Sequence, residues 1–129
     1  MLLKNKCKME TAKYKYIDLT YLKQLSNGSN EFIEQMITIF MAQTPEALDN
    51  MERFLKEKDW VALRGVAHKM KPSFSFMGIK ELQTDILLVE ESAEKQKDLD
   101  KLPALISKIR KICDLSFREL EVEKKFLTP

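Results

Sequence analysis

The sequence predicts an all-α protein: an antiparallel up-down four-helix bundle with a short extra N-terminal helix. Three observations lead there. Apolar residues recur in steps of three and four nearly throughout, and strand-like alternation is absent. Turn residues are scarce, with three glycines and four prolines in 129 residues. The few turn clusters cut the chain into long segments joined by short connections, which is the pattern of an up-down bundle.

The elements follow in order. Asp18 is the expected N-cap of a short helix that turns Leu19, Leu22 and Leu25 inward. Ser26-Asn27-Gly28-Ser29-Asn30 is a turn, and Ser29 or Asn30 caps the next helix. That helix runs to about Lys58 on a stripe of Phe32, Met36, Ile37, Phe40, Ala47, Leu48, Met51 and Leu55, with Pro45 expected to kink it. Asp59 caps a third helix with the stripe Trp60, Leu63, Ala67, Met70, Phe74 and Met77, and Gly78 stops it. Ile79, Leu82, Ile86, Val89 and Ala93 form the fourth stripe. Lys95 to Lys101 reads as a polar loop. The last helix begins around Leu102-Pro103, proline being tolerated in a first turn, and continues through Leu105, Ile109, Ile112 and Leu120. The 3.5-residue spacing favours shallow crossing angles.

Composition bounds the function. With 44% hydrophobic and 33% charged residues the chain reads as one ordinary globular domain, placed at residues 17–125. A net charge of +2 argues against a general nucleic-acid binder. Residues 1–16 carry Lys4, Lys6, Lys8, Lys13 and Lys15 against Glu10 alone, and read as a flexible, solvated basic tail. Met1-Leu2-Leu3-Lys4 lacks the apolar core of a signal peptide, and no stretch approaches the roughly 20 apolar residues of a membrane span. Cys7 and Cys113 follow no metal spacing and make no disulfide framework, which fits a reducing cytoplasm. The expectation is a cytoplasmic monomer that binds neither nucleic acid nor membrane.

One segment carries a chemical signal. His68 is the only histidine, so a multi-histidine metal site is excluded, and the lack of a Glu-x-x-His pair argues against a metal-dependent bundle enzyme. On a helical wheel His68 lies roughly 130° from the centre of its helix's core stripe. The face it shares holds Val61, Gly65, Pro72, Ser75 and Phe76, small and apolar where a solvated face is rich in lysine and glutamate. The wheel alone allows two readings: a helix buried on two sides, or an exposed docking surface around the imidazole. Charge favours the second. Between Trp60 and Lys80 stand Arg64, Lys69, Lys71 and Lys80 with no acid among them. Lys71, three residues past His68, attracts an anion such as a phosphoryl group on the imidazole. Pro72, four residues past it, has no N–H for the His68 carbonyl and is expected to bend the helix there. If the third and fourth helices fold back at Gly78, Glu90 comes to a similar height as His68. It is then either a surface glutamate or the acceptor of His68 Nδ1–H, leaving the Nε2 lone pair outward as a nucleophile.

The run His68-Lys69-Met70-Lys71-x-Ser73-x-x-x-Met77-Gly78 resembles the phosphoacceptor motif of histidine-containing phosphotransfer (HPt) domains. Thr44-Pro45-Glu46, Asp59-Trp60-x-x-Leu63 and the helix from Leu82 to Ala93 are also similar to that family, and the resemblance spans about residues 17–120. It implies a phosphoryl carrier of a multistep two-component phosphorelay. His68 would be the phosphoacceptor, Lys71 would steady the phosphoryl group and Glu90 would orient the imidazole. The docking surface would comprise Val61, Arg64, Gly65, Lys69, Pro72, Ser75 and Phe76. Response-regulator receiver domains and a hybrid sensor histidine kinase are the implied partners. Mg²⁺ is expected on the receiver, and no cofactor or metal on this chain. Many family members have glycine where this chain has Pro72, which gives the receiver close access; some members carry proline there, and the substitution leaves His68 and Lys71 in place. No Gly-rich nucleotide loop is present, so a carrier without autokinase activity is expected. The alternative is a helical module that binds receiver or kinase domains without phosphoryl chemistry.

Overall fold

The computed structural model describes residues 14–127. Among the described residues five α-helices follow one another: α1 (Thr20–Ser26), α2 (Asn30–Glu57), α3 (Trp60–Phe76), α4 (Lys80–Lys95) and α5 (Leu102–Leu127), with a 3₁₀ turn at Leu99–Lys101 leading into α5. Each long helix packs on the next, and α5 returns to α2 to close the bundle. Cross-helix pairs run in opposite senses along the partners. Phe40 meets Phe74 of α3 and Phe117 of α5 edge-to-face, and Arg110 reaches back to Asp49 and Glu52. The all-helical bundle with a short leading helix is therefore the observed fold.

The helix ends follow local chemistry. The Ser29 side chain accepts from Phe32 N–H at 3.2 Å and that of Asp59 from Ala62 N–H at 3.1 Å, each satisfying an orphan donor. Lys58 and Gln96 end α2 and α4 in the left-handed region. At the end of α3, Gly78 N–H donates to Ser75 O at 3.0 Å and Ile79 N–H to Phe74 O at 3.2 Å, with Gly78 at φ +63°. This is a Schellman turn, and it folds α4 straight back along α3.

The stripes place the core, with local differences. Leu63, Ala67, Met70, Phe74 and Met77 of the third stripe are buried, as are Leu82, Ile86, Val89 and Ala93 of the fourth. In α2 it is Ile33, not the expected Phe32, that turns inward; Phe32 is exposed at the first turn, where only one flank faces the bundle. Leu25 is likewise exposed, because α1 is a short cap touching the bundle through Leu19 and Leu22. Trp60, Leu55 and Leu105 are half-buried, with Ile106 taking the inner place beside Leu105. Asp18 is not itself the N-cap of α1, which is Leu19, but its carboxylate accepts from Thr20 N–H at 3.0 Å. Pro45 and Pro72 both sit inside helices that continue past them. Cys113 is a core filler, and burial pushes its thiol up to about 12, which keeps it inert. Cys7 lies outside the described residues.

The boundary of the basic tail needs correction. Residues 1–13 lie outside the described part, but residues 14–16 are anchored. The Glu119 carboxylate accepts from the backbone N–H groups of Lys15, Tyr16 and Ile17 at 2.9–3.0 Å, and Tyr14 Oη donates to Glu123 at 2.7 Å. A lysine-rich composition does not reveal this, since the bonds are made by backbone. Asp18 N–H then donates to Met77 O at 3.0 Å, laying the chain across the α3–α4 turn.

Gly78 is squeezed there. A Cβ at this position would stand 2.1 Å from the Asp18 carbonyl oxygen. Gly78→Ala therefore combines left-handed strain with a backbone clash and should destabilise the fold by about 2–4 kcal/mol in denaturant titration. Unchanged stability would mean that this turn does not hold the helices in register.

Candidate functional site

The rotation of α3 follows from its buried stripe, and that stripe leaves His68 outside. Its side chain is 64% exposed although Ala67 beside it is fully buried. The helix is thus not buried on two sides: the face around the imidazole is open to solvent. On α4 the buried residues Ile86, Val89 and Ala93 carry Glu90 to the edge facing α3, where its side chain is only 12% exposed. Because the Schellman turn runs the two helices antiparallel, residues 68 and 90 arrive level.

One carboxylate binds two partners. Glu90 Oε2 lies 2.6 Å from His68 Nδ1, and Glu90 Oε1 accepts from Lys71 Nζ at 2.9 Å. The structure therefore brings together His68, Lys71 and Glu90, three residues from two helices. An ionised carboxylate can only accept, so Nδ1 carries a proton, and in the neutral ring the lone pair is then on Nε2. Lys71 first, and then His68, hold the Glu90 carboxyl below the usual glutamate range. This lowering means that its stabilisation is complete above the ordinary glutamate pKa and is lost as pH falls through the lowered value. The arrangement thus persists at neutral and mildly acidic pH. Chemically it is an exposed imidazole, held at Nδ1 by a carboxylate and with a cation one turn away, an arrangement able to serve as a nucleophile.

Around this centre Val61, Gly65, Pro72 and Ser75 are exposed along the same face of α3. Phe76 is half-buried instead, stacked on Tyr21 of α1 with ring centroids 6.1 Å apart. Its place on that face is partly taken by α1, whose position no wheel of α3 can show. Arg64 is exposed and makes a loose 3.8 Å pair with Glu94, worth little in water. Lys69 is exposed on the α2 side, beside Gln43 and Glu46. Two neighbours escaped the sequence reading. Leu87 stands half-exposed one turn before Glu90, and Tyr21 covers Phe76. An apolar residue off the Leu82–Ala93 stripe and one turn from Glu90 was a legible signal for the first. Nothing local signals the second.

Among the described residues no three His, Cys, Asp or Glu side chains converge on a metal-sized site. Among them, too, no helix is long and apolar enough to cross a membrane.

The Hpt domain family model matches residues 35–118, about two thirds of the 129 residues. The chain belongs to the Hpt domain family. Its fold is similar to the crystal structure of histidine-containing phosphotransfer protein B (HptB) from Pseudomonas aeruginosa PAO1, with a TM-score of 0.77 and 25% identity over 85% of this chain and 95% of that one. No curated protein matches the chain. Its function is accordingly histidine phosphotransfer in a phosphorelay, as a phosphocarrier, and domains of this family work with receiver domains and kinases.

The shared carboxylate yields a direct measurement. In Lys71→Met the main cause of the lowered Glu90 pKa is gone, so the Glu90 carboxyl should titrate at higher pH than in wild type when followed by NMR. An unchanged titration would show that Lys71 does not hold Glu90 in solution.

Proposed function

We propose that His68 accepts a phosphoryl group from the aspartyl phosphate of one receiver domain and passes it to the aspartate of another. The observation that carries this reading is the 2.6 Å contact of Nδ1 with Glu90, which presents Nε2 of an exposed imidazole as the nucleophile. In the forward step the Nε2 lone pair forms an N–P bond while the P–O bond to the donor aspartate breaks, returning that residue to a carboxylate. The ring becomes cationic with Nδ1–H still in place, and the Glu90 carboxylate stabilises that charge. In the reverse step the acceptor aspartate attacks phosphorus and the ring leaves neutral. Lys71, already within 2.9 Å of Glu90, supplies positive charge beside the transferring group.

The receiver would bring Mg²⁺ and its own catalytic groups. This chain contributes the nucleophile, Lys71 and the docking surface of Val61, Arg64, Gly65, Lys69, Pro72, Ser75 and Phe76, to which Leu87 is added from α4. We place the carrier in the cytoplasm as a monomer, without autokinase activity, fed by a hybrid sensor histidine kinase. The scarcity of cysteine and the lack of a Gly-rich nucleotide loop support those parts of the reading.

Mixing the protein with a phosphorylated receiver should give an acid-labile, base-stable label that is lost in His68→Gln. ATP alone should give none. If wild type gains no label from any receiver, a non-phosphorylating interaction module is the better reading. Glu90→Ala frees the tautomer and should slow transfer on the order of 10–100-fold, as loss of imidazole-orienting carboxylates does elsewhere. Lys71→Ala should slow it by about 10–100-fold, the value of one charge-assisted contact. Wild-type rates in either variant would remove that residue from the proposed machinery.

A further inference from the structure

Three glycines occur in the chain, and the backbone accounts for two of them. Gly28 and Gly78 adopt φ +86° and +63°, where side-chain-bearing residues are strained. Gly65 is different. It lies inside α3 with no positive φ, and a Cβ built on it would meet no atom within 4 Å apart from its chain neighbours and the backbone of its own helix. Neither backbone conformation nor packing needs glycine there. A helix-interior glycine is nevertheless less stable than alanine at the same place. A local rule broken without structural gain points to function.

The position of Gly65 says what that function is. Arg64 and Lys71 flank His68 on the side of α4, where they pair with Glu94 and Glu90. Gly65 lies three residues before His68 and Pro72 four residues after it. At about 100° per residue, both fall on the opposite flank. Glu90 draws the Nδ1 edge of the ring towards α4, so the Nε2 edge turns towards the flank of Gly65 and Pro72. Helical side chains also tilt towards the N-terminus, which carries the imidazole over the turn containing Gly65 and away from Pro72. The reactive nitrogen therefore has a proline ridge behind it and an empty position in front.

We infer that Gly65 is a specificity-determining residue of the transfer: its missing side chain is the opening through which the receiver's aspartyl phosphate reaches His68 Nε2. This rests on the proposed phosphoacceptor role of His68. Gly65 touches no reacting atom and sets only how closely a macromolecular donor approaches. A small donor needs no such opening.

The test compares Gly65→Ala and Gly65→Leu with wild type in the intact chain. Three readouts are needed: thermal stability, labelling of His68 by the small donor phosphoramidate, and transfer from a phosphorylated receiver. Both variants should fold, with Gly65→Ala at least as stable as wild type. Phosphoramidate labelling and the His68 ring ¹⁵N shifts should stay at wild-type values. Receiver-dependent transfer should fall in a graded way, reaching about 100-fold in Gly65→Leu, the effect of displacing reacting groups by about an ångström. Wild-type transfer in Gly65→Leu overturns the inference. So does a parallel loss of phosphoramidate labelling, since the residue would then act on the imidazole itself. If wild type takes label from phosphoramidate but from no receiver, the phosphorelay reading of His68 fails and this inference falls with it.

Discussion

Gly78 turns left-handed at the end of α3, and its amide and that of Ile79 close onto the carbonyls of Ser75 and Phe74. That turn admits one register between α3 and α4. From it follow the seat of Asp18 across the turn and the level meeting of His68 with Glu90. A slip of one residue along α4 would rotate its stripe by about 100° and carry Glu90 off the edge that faces α3. The site thus depends on a backbone conformation ten residues from the histidine it serves.

Within that frame a single carboxylate organises the chemistry. Glu90 is largely buried, so leaving it unpaired would be costly; two donors from α3 satisfy it. The same pairing sets the tautomer of His68 and keeps Lys71 beside it. In the proposed transfer, stability and reactivity would meet in this one residue, whose carboxyl Lys71 and His68 hold below the usual glutamate range. The remaining face of α3 is left bare, with a proline and a glycine on the flank away from α4.

Much of the fold was legible because helix periodicity is a local property. The stripes of α3 and α4, the caps at Ser29 and Asp59 and the stop at Gly78 were read from spacing and residue type. His68 stood off its stripe by angle alone, and the structure places it in solvent. What was misread lies at element ends and in contacts between remote segments. Phe32 and Leu25 continue their helical patterns, but the bundle is not there to bury them. Residues 14–16 look like tail by composition, yet the amides of Lys15 and Tyr16 meet Glu119 and the Tyr14 hydroxyl meets Glu123, more than a hundred residues away. Phe76 shares the face of His68 on the wheel but is covered by Tyr21.

The helical class, the core stripes, the single nucleophilic candidate and its basic surroundings are all legible in the order of residues alone. These depend on interactions within a few residues of one another, where helix geometry is nearly invariant. It took the packed fold to show that Glu90 binds both His68 and Lys71, that Tyr21 covers Phe76, and that the space over Gly65 is empty. Each depends on the register and rotation of a second helix or on what no neighbour fills. Packing between elements sets those quantities, and periodicity along one strand of sequence does not encode them.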